Sequence, residues 1–199
     1  MSAKVTLVSG DDVYIERSDR LRTKLSINIF CESDQKYIRD WATKEALKNG
    51  AFEIRFTKEE SDKNKSEGEG IITTSYNAWY EIVLKNTTQQ AIKDLRVEYI
   101  CFKFTDKVAA IKRSEGEFER INGEGLFESL AARSEEKRPT KNFKMKETGL
   151  MDGWVWSGDA RKSRESKDKL EGIWVKIYAG NSLVLETARP ESLMRNEVW

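Results

Sequence analysis

The sequence predicts a mainly β protein: an antiparallel β-sandwich with one short helix in its N-terminal third. The first observation is the strict alternation of apolar and polar residues in two neighbouring segments, 80–84 and 95–99, which gives each strand one buried face. The second is a hairpin pattern at 172–187, where two apolar strands flank Ala179-Gly180-Asn181. The third is the abundance of strand and turn signals against few helical ones.

The N-terminal third is predicted to contain a strand. Leu25, Ile27, Ile29 and Cys31 alternate with polar residues, which indicates a strand near 24–31.

The pattern then changes to a helical period. Ile38, Trp41 and Ala42 share one helical face, Asp34 is a suitable N-cap, and Asn49-Gly50 is a stop signal.

A strand is expected at 52–56. Residues 57–70 contain no large apolar residue. We therefore expect a solvated loop or a long hairpin end, which would be the most mobile segment.

The central strands carry the clearest pattern. The residues predicted to face the core are Tyr80, Ile82 and Leu84 in the first strand and Leu95, Val97 and Tyr99 in the second. After Tyr99 the alternation ends, because Ile100, Cys101, Phe102 and Phe104 are all apolar. Two explanations are open: a central strand covered on both faces, or a bulge that changes the parity.

The remaining segments give weaker signals. Residues 116–130 indicate short strand pieces with glycine turns, and 133–149 an exposed connection leading into a further strand. Pro190 ends the last strand, and 191–199 is a short helix or an irregular tail. We therefore divide the chain into an N-terminal region, 1–70, a sandwich core, 71–194, and a tail, 195–199.

Composition limits the chemistry open to this chain. It has 199 residues, no histidine and two cysteines, which excludes a Ser-His-Asp or Cys-His hydrolase, a histidine-based zinc site and a four-thiolate site. An enzyme built on carboxylates or lysine stays open. Lys and Arg total 35 against 34 acidic residues, for a net charge of +1, so there is no global attraction to nucleic acid.

The cysteines and the N-terminus leave the compartment open. Cys31 and Cys101 both fall in predicted strands, so a disulfide and two buried thiols are the alternatives. No apolar run is long enough to cross a bilayer, and residues 1–14 lack the apolar core of a secretory signal. The chain is either cytosolic or a mature exported domain with an added Met.

Two segments carry a resemblance to known proteins. YEIVLKNTTQQAIKDLRVEYICFKF resembles the immunoglobulin- and fibronectin-III-like modules of bacterial envelope proteins. The ending DGWVWSGDARKSRESKDKLEGIWVKIYAGNSLVLETARPESLM is similar to exported proteins of Planctomycetes and Verrucomicrobia, some of them linked to type IV pili. The resemblance covers residues 71–194 and implies an antiparallel immunoglobulin-like β-sandwich in an exported, periplasmic or cell-surface setting. It supplies no catalytic residues, and the chain lacks the apolar N-terminal helix of a pilin.

Trp154 and Trp156 are the candidate binding residues. They are two positions apart, which would place both indoles on one strand face, where they could stack on sugar rings or anchor a protein partner. The alternative is that they cover the core. Trp79 and Trp174 lie opposite the main apolar set of their strands, so that face must also be covered or form a patch.

The charged residues favour structural roles. Calcium could bind in loops to Asp11, Asp12, Asp152 and Asp159, but these residues lack EF-hand spacing, so turn formation is the better interpretation. The basic stretches 137–146 and 161–169 contain or adjoin acidic residues, so we interpret them as solvated loops rather than nucleic-acid sites.

These observations predict a non-enzymatic exported or cell-surface interaction module, accessory to a pilus or other envelope assembly. Its partner would be an envelope or surface protein, bound through an exposed sheet edge or the aromatic patch. The alternative is a carbohydrate-binding module that uses the same tryptophans. We expect no metal, no cofactor, no nucleic acid and no transmembrane segment.

Overall fold

The computed structural model describes residues 3–48, 50, 52–89, 91–110, 112, 115–157 and 165–199. Within these ranges the chain is mainly β, with antiparallel sheets and few helices, as the alternation predicts. The elements in chain order are β1 (Ala3–Ser9), β2 (Asp12–Arg17), β3 (Arg22–Ser26), a 3-10 turn (Ile27–Ile29), α1 (Glu32–Lys48), β4 (Phe52–Glu60), β5 (Asn64–Gly68), β6 (Ile71–Asn86), β7 (Ile92–Thr105), β8 (Glu117–Leu130), β9 (Glu135–Pro139), β10 (Phe143–Leu150), β11 (Ser166–Lys167), β12 (Lys169–Ala179), β13 (Ser182–Arg189) and α2 (Leu193–Asn196).

The first three strands form a separate sheet in the order β1-β2-β3, and α1 lies against it. Val13, Ile27 and Ile38 form its small buried core. The predicted helical face is therefore correct at Ile38. The β1–β2 hairpin, which turns at Gly10 with a φ of 61°, was not among the predicted strands.

Two sequence predictions for this region are wrong. The strand near 24–31 ends at Ser26, because its side-chain oxygen accepts a hydrogen bond from the Asn28 N–H at 3.4 Å and a 3-10 turn follows. The helix is not short: it begins at Glu32, with Gln35 N–H donating to the Cys31 carbonyl at 2.9 Å, and has 17 residues. Cys31 thus lies outside any strand, and both cysteines are free thiols, which excludes the disulfide.

The second sheet is built around β6. Strands β4 and β5 pair along one side of it, β9 and β10 pair along the other, and β11 pairs with β10. For 57–70 the hairpin alternative is correct, and the turn at Glu69-Gly70 has positive φ at both residues (52° and 78°). The exposed connection predicted at 133–149 is wrong, because this segment forms β9 and β10, and its Phe143 and Met145 are buried.

The third sheet has the order β13-β12-β7-β8. Here β8 is one continuous strand, which corrects the prediction of short pieces with glycine turns. Gly123 lies opposite Tyr99, and a Cβ at this position would be only 2.2 Å from the Tyr99 ring. The glycine therefore admits a close tertiary contact within a strand and does not form a turn.

The main core lies between the second and third sheets. It contains the predicted inward residues of both central strands, together with Ile173, Val175 and Ile177 of β12. The apolar–polar alternation of β7 ends after Tyr99 because the strand is covered on both faces. Cys101 belongs to the main core, and Ile100 and Phe102 belong to a second cluster on the opposite face. The pairing of β7 with β8 runs in register through this segment. Its pairing with β12 shifts register between Leu170 and Gly172, but the extra residue, Glu171, is on β12, so the parity of β7 does not change. Central β7 is covered on both faces.

Candidate interaction surfaces

The segment that carries Trp154 and Trp156 follows a turn at Asp152-Gly153 and is irregular, not a strand. Strand β10 ends at Leu150, Gly153 has a φ of 82°, and the Trp154 N–H donates to the Met151 carbonyl at 3.1 Å. An Asp-Gly pair at 152–153 favours this reversal. The placement of both indoles on one strand face is therefore wrong, although their role in binding stays a prediction.

Contacts with the β5–β6 turn anchor this segment. The Met151 N–H donates to the Gly70 carbonyl at 2.9 Å, and the Trp154 indole lies so close to Gly70 that a Cβ there would be 2.4 Å from the ring. Trp154 is nevertheless 57% exposed and Val155 80% exposed, while Trp156 is half-buried. We call Trp154 and Val155, with the turn that holds them, the aromatic turn.

The outer face of the third sheet, which carries Trp174, is covered. The sequence left two alternatives for this face, a covered surface or an exposed apolar patch, and the first is correct. The indole of Trp174 is buried and meets Trp199 edge to face, with ring centroids 5.3 Å apart. Its ring N–H donates to the Glu186 carboxylate at 3.1 Å, and the Lys176 ammonium lies 4.2 Å from the Trp199 ring centroid. This contact holds the C-terminal tail on the sheet. Trp79 is half-buried.

A cleft of about 810 Å³ lies beside Trp199. Its walls include Glu98, Arg120 and Lys141, and the Arg120 guanidinium donates to the Val198 carbonyl. The lining mixes charged groups with apolar and aromatic ones, among them Ile100 and Trp199. Such a lining can offer a ligand hydrogen bonds, charges of both signs and an apolar wall.

Two buried aspartates have structural hydrogen bonds that the sequence pattern did not reveal. The Asp168 carboxylate accepts the Asp106 and Lys146 backbone N–H groups at 2.9 Å each, and the Asp106 carboxylate accepts the Lys167 N–H at 2.9 Å. These bonds join the end of β7 to β10 and β11. Asp168 lies in a charged run that looks solvated in the sequence, so no local signal distinguishes it.

Ion pairs connect several strands at the surface of the second sheet. The Lys167 ammonium is 2.6 Å from the Glu147 carboxylate and lowers its pKa, against the smaller opposing effect of burial. The same carboxylate accepts the Tyr76 hydroxyl at 3.1 Å. Burial, and then this bond, raise the pKa of Tyr76. Fixed pairs of this kind hold strands together and leave the carboxylate ionised at neutral pH.

The other charged candidates do not form a site in the described residues. Lys137 pairs with Glu81 at 2.9 Å, and Asp12 pairs with Lys24 at 2.8 Å. Asp159 and the start of the 161–169 stretch lie outside the described residues. In the described ranges no group of three or more Cys, Asp or Glu side chains is placed to hold a metal ion. The described helices include none with the length and apolar character needed to cross a bilayer.

Comparisons with known proteins give little further information. No family model matches the chain, and no curated protein matches it. Among solved structures, the E. coli curli protein CsgC is similar at 16% identity, covering 67% of this chain and 99% of that one, with a TM-score of 0.27. A likeness at this TM-score establishes neither a shared fold nor a shared function.

Proposed function

We propose that this protein is a non-enzymatic interaction module, exported to the periplasm or the cell surface, with an immunoglobulin-like sandwich, and accessory to a pilus or other envelope assembly. The exported setting is supported by the resemblance of residues 71–194 to envelope proteins. The interaction role is supported by the aromatic turn, which is the observation that carries the proposal.

The aromatic turn has the properties of a protein contact. Trp154 and Val155 expose apolar surface side by side, at 57% and 80%. The turn is also held by the Met151–Gly70 hydrogen bond and by the indole against Gly70. A contact that is ordered before binding loses little conformational entropy on association. Tryptophan is one of the residues enriched among those that dominate binding energy.

Site-specific crosslinking tests this role. A photoreactive amino acid at Val155 is expected to crosslink to an envelope protein in membrane and periplasmic fractions of the organism that makes the chain. The same group at Leu21, which is 62% exposed in the connection between β2 and β3, is the control for random collision. In a competition assay Trp154→Ala should weaken binding by about tenfold or more. Equal crosslinking from both positions would contradict the proposal.

A carbohydrate-binding module is the second candidate. The Gly70 backbone supports one part of the Trp154 indole and leaves more than half of the residue exposed, an arrangement suited to stacking on a sugar ring. Glycan-array binding that Trp154→Ala abolishes and Leu21→Ala preserves would favour this function over the protein partner. Crosslinking to a protein that free sugars do not compete away would reject it.

A further inference from the structure

Strand β4 is an edge strand of the second sheet: one of its sides pairs with β6, and in the described residues no strand pairs with the other. The Ser61 N–H donates to the Asn77 carbonyl at 2.8 Å, directly after the Glu60–Ala78 pair. On β6 the Tyr80 carbonyl accepts from Thr140 on the opposite side, so even-numbered β6 residues face β9 and odd-numbered ones face β4. Hydrogen-bonded pairs alternate in an antiparallel ladder. The N–H and C=O groups of Ile54 and Phe56 therefore point away from β6, toward the sheet edge.

The side chains on this edge belong to the core. Phe52, Ile54 and Phe56 are half-buried and pack against the main core from its margin. A cleft of about 480 Å³ opens beside them, between β4 and β13. Its far wall is formed by Thr187, Ala188, Arg189 and Glu191. The cleft thus joins a backbone edge to the margin of the apolar core.

The opposite margin of the sandwich is closed. There the Arg138 side chain of β9 donates to the Leu126 carbonyl of β8 at 3.3 Å, and the Lys141 ammonium donates to the Asn122 carbonyl at 2.9 Å. Cationic side chains that cap an edge strand prevent another strand from pairing with it. No hydrogen bond of this kind reaches the outward groups of Ile54 or Phe56 from the part of the chain that the structure describes.

We propose that β4 is a strand-addition site for a protein partner, which contributes an extended segment with small apolar residues at alternate positions. This inference rests on the proposed interaction function and names its partner class. The partner backbone bonds to Ile54 and Phe56 and extends the second sheet. Its alternate side chains enter the cleft toward β13. The charges at the cleft, on Arg55, Arg189 and Glu191, are of both signs, so backbone pairing and apolar contact provide the recognition.

Amide hydrogen exchange gives a direct test on the full chain. The probe is a soluble peptide of about eight residues with valine on one face and threonine on the other. In the free protein we expect the amides of Arg55 and Thr57 to be protected and those of Ile54 and Phe56 to exchange faster. With the peptide, exchange at Ile54 and Phe56 should slow by about tenfold or more. The proposal would be overturned if millimolar peptide did not slow amide exchange at Ile54 and Phe56. Protection confined to β8 or β13 would also overturn it.

Two variants at one position separate backbone pairing from side-chain contact. Ile54→Ala removes most of the side chain and keeps the N–H, whereas Ile54→Pro also removes the N–H and puts a ring at the edge. Because the β6 ladder does not use this N–H, both variants should retain the native circular dichroism spectrum. Ile54→Pro should bind the peptide at least about fivefold more weakly than Ile54→Ala. Equal affinities would show that the backbone does not pair.

The outcomes distinguish this inference from the proposed function. Crosslinking from Val155 without any change at β4 would leave the interaction function in place and reject strand addition. Protection of Ile54 and Phe56 that rises with protein concentration in the absence of peptide would identify the occupant as a second copy of the chain, and would overturn the assignment to a separate partner.

Discussion

The contact between Gly123 and Tyr99 predicts a large difference between two neighbouring glycines of β8. An ideal Cβ on Gly123 would lie 2.2 Å from Tyr99 Cζ and 2.3 Å from its hydroxyl oxygen, whereas a Cβ on Gly125 would meet nothing within 4 Å. Neither glycine has a positive φ. The substitution Gly123→Ala therefore tests packing rather than backbone strain, and Gly125→Ala is its matched control.

The magnitude follows from what Tyr99 must give up. Its ring is buried, and its hydroxyl accepts the Lys141 N–H at 3.0 Å. Overpacking a core costs about 1–3 kcal/mol, and loss of the hydrogen bond adds about 0.5–1.5 kcal/mol. Replacing glycine lowers the entropy of the unfolded chain and offsets about 0.4–1 kcal/mol. We expect Gly123→Ala to lower the free energy of unfolding by about 1–4 kcal/mol, and Gly125→Ala to change it by less than about 1 kcal/mol.

Urea denaturation followed by tryptophan fluorescence measures both variants against the wild type. For a chain of this length, at about 2–4 °C per kcal/mol, the expected loss corresponds to a melting temperature lower by roughly 2–16 °C. A third variant, Tyr99→Leu, removes the atoms that clash, so Gly123→Ala should cost less in that background. The reasoning is refuted if Gly123→Ala and Gly125→Ala unfold at the same urea concentration, or if the cost persists undiminished without the tyrosine ring.

Two further predictions concern titratable groups. In the native protein a thiol reagent at neutral pH should modify exposed Cys31 and spare Cys101, because burial raises the pKa of Cys101 to about 12; rapid labelling of two thiols would contradict the burial. Lys167 lowers the pKa of Glu147 below its usual value of 4.5, so this group adds stability that is complete above that pH and is lost as the pH falls through the lowered pKa. Glu147→Gln should therefore flatten the dependence of unfolding free energy on pH between neutral and about pH 3, and an unchanged slope would mean that the pair contributes nothing.

The central alternation was sufficient to predict the main core. Tyr80, Ile82 and Leu84 are buried because a strand with period-two patterning can cover an interior with one face only. The same rule failed for Leu25–Cys31 in the first sheet, where a 3-10 turn follows Ser26 and leaves Ile29 exposed. Alternation alone does not show where a strand ends.

The aromatic turn and β8 show what local patterns lack. A spacing of two indicated one strand face for Trp154 and Trp156, but Gly153 reverses the chain before them. The sequence pattern around Gly123 indicates a turn, whereas the structure requires a glycine there because Tyr99, on another strand, lies too close for a Cβ. Which backbone groups of β4 point outward can be deduced only from the pairing of β6 with β4 on one side and with β9 on the other. Such properties depend on residues distant in the sequence.

The position of β6 has a consequence for how the chain acquires its fold. This strand pairs with segments that precede it and with segments far downstream, since Ala78 is opposite Phe143. Closing such a long loop is slow, and until it closes one long side of β6 has no neighbour. A nascent or truncated chain that stops before β9 would present that side to other chains and would tend to aggregate. During synthesis, β9 and β10 thus protect this side of β6 from other chains once they have paired with it.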